Sequence, residues 1–261
     1  MTPGVRFAGG KSFRGTNRGT FFRLDPTSTV NEVISVDCAP IDELLGGGIE
    51  RGTVTQLYGP PAAGKTNLAL CAAVSCADAG ERVAYIDTEG LSPDRFEGLL
   101  RARSDEIEAL SSRIVISEAH TFDEQEEAVR DAEELASEVS LIVLDSATGF
   151  YRLQRTEDER EGDALRSVAR QITHLLALAR KHDLAVLITN QVFSDPDTDR
   201  VRALGGNTLE HWTGTVLRID RFRGGKRRAT LEKHRSKPVG ESVQFRITDE
   251  GLEGVDELAG A

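Results

Sequence analysis

The stretch Thr53-Val-Thr-Gln-Leu-Tyr-Gly-Pro-Pro-Ala-Ala-Gly-Lys-Thr-Asn67 reads as a strand, a glycine-bounded loop and the first turn of a helix. An apolar, β-rich run precedes the loop, and an Ala- and Leu-rich run from Asn67 to Ala79 follows it. Gly59 and Gly64 accept backbone angles that a Cβ resists. The loop Gly59, Pro60, Pro61, Ala62, Ala63, Gly64 can therefore curl and turn successive N–H groups toward one anion. A helix opening at Gly64 aims its positive end at the same point. In that geometry Lys65 reaches the β- and γ-phosphates of a nucleotide, and the Thr66 hydroxyl falls on the bridging Mg²⁺. The pattern predicts a site for ATP and Mg²⁺.

Outward from this loop, strands and helices alternate. Cys38 to Arg51 holds a short helix from Ile41 to Leu45, stopped by Gly46, Gly47 and Gly48. Arg82 to Glu89 is a second strand, apolar and then abruptly acidic, and Ser92-Pro93 is an N-cap with proline at the first helical position. Ile114 to Ile116 is a third strand and Phe122 to Ala136 an acidic helix. Leu141-Ile-Val-Leu-Asp-Ser146 is an apolar run ending in an acid, as a buried parallel strand would be. Leu165, Val168, Ala169, Ile172, Leu175, Leu176 and Ala179 step by three and four along one helix face, and Leu184 to Gln191 is another buried strand. The class is α/β, with a mostly parallel central sheet flanked by helices and a ligand beyond the carboxyl ends of its strands. After Gly214, Val216 to Ile219, the turn Gly224-Gly225, Ala229 to Leu231 and Val243 to Ile247 read as a C-terminal antiparallel hairpin and edge extension.

Composition narrows the setting. The 261 residues form one large domain with tails: a basic, disordered segment over 1–32, a core over 33–250 and a C-terminal tail over 251–261. No long apolar run spans a membrane and no secretory h-region opens the chain, so a cytoplasmic protein is expected. Cys38, Cys71 and Cys76 show neither metal nor disulfide spacing and read as reduced, small hydrophobes. The net charge is −11, with six lysines: Lys11, Lys65, Lys181, Lys226, Lys233 and Lys237. Such a surface suits a salt-rich cytoplasm that screens self-repulsion, or an ordinary acidic protein of a GC-rich genome. Residues 1 to 24 carry Arg6, Lys11, Arg14, Arg18 and Arg23 with no acid, and either touch nucleic-acid phosphates or form an unstructured appendage. His120, His174, His182, His211 and His234 are scattered without ligand spacing, so no metal beyond Mg²⁺ is expected.

Three polar strand ends can serve γ-phosphate hydrolysis, which needs neutralised charge and an oriented water. Asp145 closes the strand expected beside the phosphate loop, where a carboxylate can hold Mg²⁺. Glu89 can polarise a water and Gln191 can sense the γ-phosphate; on spacing alone either is equally a solvated turn residue.

The combination Gly59 to Thr66, Tyr85-Ile-Asp-Thr-Glu-Gly90, Leu141 to Ser146, Ile188-Thr-Asn-Gln-Val192 and Leu204-Gly-Gly-Asn207 resembles the ATPase core of RecA-type recombinases. Ile41-Asp-Glu-Leu-Leu-Gly-Gly-Gly-Ile-Glu50 resembles their archaeal RadA branch, and the likeness covers roughly residues 33 to 250. It implies a RecA-like P-loop fold, with Glu89 as the catalytic glutamate, Asp145 as the Walker B aspartate and Gln191 as the γ-phosphate sensor. It also implies two DNA-facing loops, Gly149 to about Asp163 and Ser194 to Gly206, whose basic members are Arg152, Arg155, Arg200 and Arg202. The family's helix-hairpin-helix front domain and Phe-x-x-Ala polymerisation motif are missing from residues 1 to 35. A lone core of this size resembles the RadB family, archaeal paralogues of RadA. That likeness implies ATP and DNA binding, weak ATP hydrolysis, no strand exchange, assistance to RadA in repair and a link to the Holliday-junction resolvase Hjc. Whether copies of the chain associate is left open.

Arg218 to Lys237 holds nine basic residues, Arg218, Arg221, Arg223, Lys226, Arg227, Arg228, Lys233, Arg235 and Lys237, against Asp220 and Glu232. Phosphate neutralisation on DNA is the simplest physical account. Lys233-His-Arg235 is also similar to the Lys-x-Arg pair that KaiC-like and some RecA-like ATPases insert into a neighbour's nucleotide, and a solvated hairpin is the third reading. Two other functions compete: a KaiC-like signalling ATPase acting on proteins, and a non-catalytic adaptor. Trp212 is expected to be packed rather than free for base stacking.

Overall fold

Alternating residues of the central strands feed two separate cores. In Leu141–Asp145, Leu141 and Val143 point to one core while Ile142 and Leu144 point to the other. Val83 and Tyr85 against Ala84 and Ile86, and Ala185 and Leu187 against Val186 and Ile188, repeat the pattern. A strand that is apolar on both faces must lie between two helical layers, as found here.

The computed structural model describes residues 33–150, 161–194 and 201–255. In chain order its strands are β1 Val33–Ile34, β2 Ile49–Glu50, β3 Val54–Tyr58, β4 Val83–Asp87, β5 Ile114–Glu118, β6 Leu141–Asp145 and β7 Ala185–Asn190. They continue as β8 Val192–Ser194, β9 Val201–Ala203, β10 Thr215–Arg221, β11 Arg227–Lys233, β12 Ser242–Thr248 and β13 Gly251–Val255. The helices are α1 Ala39–Leu45, α2 Lys65–Asp78, α3 Pro93–Arg101, α4 Ile107–Ser111, α5 Phe122–Leu135, α6 Glu161–His182 and α7 Gly206–Glu210. The tail expected over 1–32 lies outside the described residues. At the other end the sheet runs on through Gly251–Val255, past the core boundary read from the sequence.

The main sheet has the order β13-β12-β11-β10-β3-β7-β6-β4-β5. From β10 to β5 every neighbour is parallel, and β10 to β13 are joined antiparallel. One expectation gains a partner and one changes. Val216 to Ile219 forms the expected antiparallel hairpin with β11, and its other edge pairs parallel with β3, with Leu217 opposite Leu57. Asp145 was placed on the strand beside the phosphate loop, but β7 lies between β3 and β6. The burial of β7 on both faces explains this: its Val186 and Leu187 complete the two cores between β3 and β6.

Local signals set the helix ends. Ser92 caps α3 by accepting the Arg95 N–H at 3.4 Å, with Pro93 next, and Thr121 caps α5 through the Glu124 N–H at 3.2 Å. Helix α1 starts earlier than expected, with Pro40 in its first turn, and ends at Gly46 with φ +92°. Burial pushes the thiols up to about 11 for Cys38, about 12 for Cys71 and about 12 for Cys76, so they pack as neutral hydrophobes. Among the described residues, no helix is long and apolar enough to cross a membrane.

Candidate functional site

The loop after β3 curls back on the N-terminus of α2. Ala62 stands at φ +59° and Gly64 at φ +107°, the left-handed region. Gly59 serves a different purpose from the one its sequence position suggested: a Cβ there would lie 2.0 Å from the Ile219 carbonyl oxygen, so β10 approaches too closely for any side chain. The Lys65 amine donates to the carbonyls of Gly59 at 3.0 Å and Pro60 at 3.1 Å, so the loop is folded over its own lysine. Burial lowers the Lys65 pKa, while the carboxylates of Asp145 and Glu89 oppose that shift.

Asp145 is 1 % exposed at the end of β6. Burial raises its pKa first; hydroxyls of Thr189, Tyr85 and Thr66 bond it and pull the other way. The Tyr85 hydroxyl donates at 2.8 Å, and Thr189 reaches the second carboxylate oxygen from β7. Neither was singled out in the sequence, although Tyr85 sits on β4, which leads to Glu89, and Thr189 on β7, which leads to Gln191. The peptide between Asp145 and Ser146 is cis.

Glu89 lies two residues past β4, on a turn built by Asp87. The buried Asp87 carboxylate accepts the N–H groups of Glu89 at 3.1 Å, Gly90 at 3.1 Å and Leu91 at 2.5 Å. One Glu89 oxygen then accepts both the Ser146 hydroxyl at 2.7 Å and the Gln191 side-chain amide at 3.1 Å. Thr88 clasps Ser146 by accepting its N–H at 2.7 Å.

Lys65, Thr66, Glu89, Asp145 and Gln191 therefore converge on one cleft of about 490 Å³, together with Pro61, Ala62, Gly64, Ser146 and Arg227. Residues 29–255 match the family model described as Rad51. The chain belongs to the Rad51 family. It is of the RadB type: it is 66 % identical over 218 residues to "DNA repair and recombination protein RadB" of Halobacterium salinarum, covering 83 % of this chain and 92 % of that relative. It is 41 % identical over 225 residues to the protein of the same description from Methanococcoides burtonii, covering 86 % and 99 %. A solved structure described as "Crystal structure of the RadB recombinase" superposes with a TM-score of 0.75 at 35 % identity, covering 86 % of this chain and all of that one. The RecA-like fold with its mostly parallel sheet follows the family, and the halophilic reading of the composition fits the Halobacterium relatives.

The basic residues of the expected DNA face scatter. Arg152, Arg155 and Arg200 lie outside the described residues, and Arg202 falls on β9, paired in register with Phe193. Within Arg218 to Lys237 the strand β11 parts the charges. Arg227 lines the cleft and Arg228 follows it at the same end of the strand. Lys233 stands at the far end of the sheet, about 20 Å of strand away. There Lys233 donates to the Glu210 carbonyl at 2.5 Å, Arg235 pairs with Glu50 at 2.8 Å, and Lys237 closes the C-terminus of α1 through the carbonyls of Glu43 and Leu44. Arg228 lies 5.5 Å from the Phe222 ring centroid. Trp212 departs from the packed position expected: it is 39 % exposed, edge-on to the His211 ring at 5.0 Å.

Proposed function

We propose that this chain is an ATP- and DNA-binding accessory protein of homologous recombination in the cytoplasm, hydrolysing ATP slowly and assisting the main recombinase without exchanging strands itself. The convergence of Lys65, Thr66, Glu89, Asp145 and Gln191 on a single cleft carries this reading. The residues suit ATP and Mg²⁺: a buried carboxylate with its pKa pushed up by burial gains from a cation, and the Thr66 hydroxyl bonded to it is the second protein oxygen such an ion needs. Bound Mg²⁺ supplies charge neutralisation on the phosphates.

The chain's own groups have separable tasks. The amides at the opening of α2 hold phosphate oxygens. Lys65 exchanges its carbonyl partners for the phosphates. Glu89, fixed by Ser146 and Gln191, orients a water and takes its proton. Gln191 links that glutamate to β7 and so to Val192–Ser194 and the DNA-facing segment beyond. DNA and the cell's RadA-type recombinase are the proposed partners, with Hjc a further one implied by the family likeness. Lys233 and Arg235 are bonded within the chain, which counts against their reaching a neighbour's nucleotide and so against a signalling ATPase.

The test is DNA binding with and without ATP at several salt concentrations, alongside phosphate release by wild type and Lys65→Ala. DNA retention at low salt and turnover lost in Lys65→Ala are expected. A wild-type protein that holds ATP yet shows no affinity for DNA at low salt would sink the proposal.

A further inference from the structure

The run of charge from Arg218 to Lys237 makes Arg227 look like one of several DNA-facing residues, but its surroundings differ from those of its neighbours. Arg227 opens β11 opposite Arg221, the last residue of β10. Because β10 runs parallel to β3, this end of the hairpin stands beside the loop that follows β3. The Arg227 side chain lines the same cleft as Lys65, Glu89 and Asp145. Its Nε is buried without a hydrogen-bond partner, as is that of Arg228, but only that of Arg227 lies against the glycine loop, 4.0 Å from a Cβ built on Gly64. Arg218 and Arg228 are answered by Asp220, and Arg218 also by Glu232, whereas Arg227 donates only to the Gly225 carbonyl among the described residues. A desolvated guanidinium N–H with no acceptor is costly and is expected to meet one in the working state of the site.

Sheet order then selects which part of a nucleotide it meets. On one side of β3, the ends of β7, β6 and β4 bring Gln191, Asp145 and Glu89, the groups for metal and water. On the other side, β10 and β11 bring Arg227. The γ-phosphate belongs with the first set, which leaves the α-phosphate and ribose toward the second. We propose that Arg227 is a nucleotide-contacting residue that grips the α-phosphate end of ATP within its own subunit. Its planar, permanently charged fork suits a phosphate oxygen. The inference rests on the reading of the cleft as an ATP site.

Equilibrium dialysis of ATP and of ADP tests it, with wild type, Arg227→Ala, Arg227→Lys and Arg246→Ala. Arg246 is an exposed arginine on β12, facing away from the cleft's Ile247. Arg227→Ala is expected to weaken both nucleotides alike by roughly tenfold or more, Arg227→Lys by less, and Arg246→Ala not at all. Circular dichroism melts confirm that the variants fold; should Arg227→Ala fail to, Arg227→Gln keeps length, loses charge and carries the same comparison. Affinities within about twofold of wild type, or a loss confined to ATP, would overturn the inference. A wild type that binds neither nucleotide would instead overturn the cleft reading beneath it, so the two failures are distinguishable.

Discussion

Glu89 is an exposed side chain whose carboxylate is nevertheless oriented, because one oxygen accepts from both Ser146 and Gln191. A free glutamate would lose rotamer entropy each time it met a water; two donors, each on the residue just after β6 or β7, meet part of that cost beforehand. Glu89→Gln is therefore expected to cut phosphate release by about 100-fold or more while ATP affinity holds. Ser146→Ala keeps the base and loosens it, so turnover should fall by only about threefold to tenfold, with KM unchanged. Equal losses in the two variants would make Ser146 more than a positioning residue. Glu89 itself was legible through its motif, as were Lys65, Thr66 and Asp145. The Ser146, Tyr85 and Thr189 hydroxyls that steady the two carboxylates were not. Their meeting depends on strand register across residues far apart in sequence, and hydroxyls leave no periodic trace. The exposed Trp212 escaped for the opposite reason: composition says that a single tryptophan is usually packed, and only coordinates reveal the surface it occupies.

Among elements, the contact of β3 with β10 is the least tolerant. Gly59 passes beneath the Ile219 carbonyl, and a methyl group there would have to part β10 from the end of β3, where the glycine loop begins. Gly59→Ala is expected to destabilise the fold by about 3 kcal/mol, visible as a lower urea midpoint, because that neighbour is backbone and cannot move as a side chain would. A midpoint unchanged from wild type would mean that the strands separate freely at this end. The long strands and helices around the glycine loop were readable from periodicity, whereas the short elements Val33–Ile34, Ile49–Glu50, Ile107–Ser111, Val192–Ser194, Val201–Ala203 and Gly206–Glu210 and the last strand Gly251–Val255 were not. The partner of each strand was not: the β10 sequence alternates in a way that suits parallel or antiparallel pairing alike, and nothing in β7 announces that it inserts between β3 and β6.

The whole molecule carries −11 of net charge, and its positive residues are unevenly placed. Arg235 with Glu50 and Lys237 with α1 bind the segment after β11 to the segment before β3, so part of the basic run acts as an internal brace. Unscreened repulsion among the remaining acids opposes the folded state. Raising KCl from about 0.1 M to about 2 M is therefore expected to raise the thermal midpoint by several degrees, about 5 °C, in a calorimetric scan. A falling midpoint would show that ion pairs outweigh repulsion. The same salt weakens any phosphate contact by counterion release, so DNA held under those conditions must rest on close packing.

The late arrival of β10 has a consequence for how the chain is made. During synthesis β3 emerges early and can be flanked by β7, yet its other flank stays open until Thr215–Arg221 leaves the ribosome. An apolar strand with one bare edge invites pairing with a second nascent chain. Messages truncated ahead of residue 215 should yield insoluble product, and release of the last fifth of the polypeptide is the moment at which the strand before the glycine loop becomes safe from such pairing.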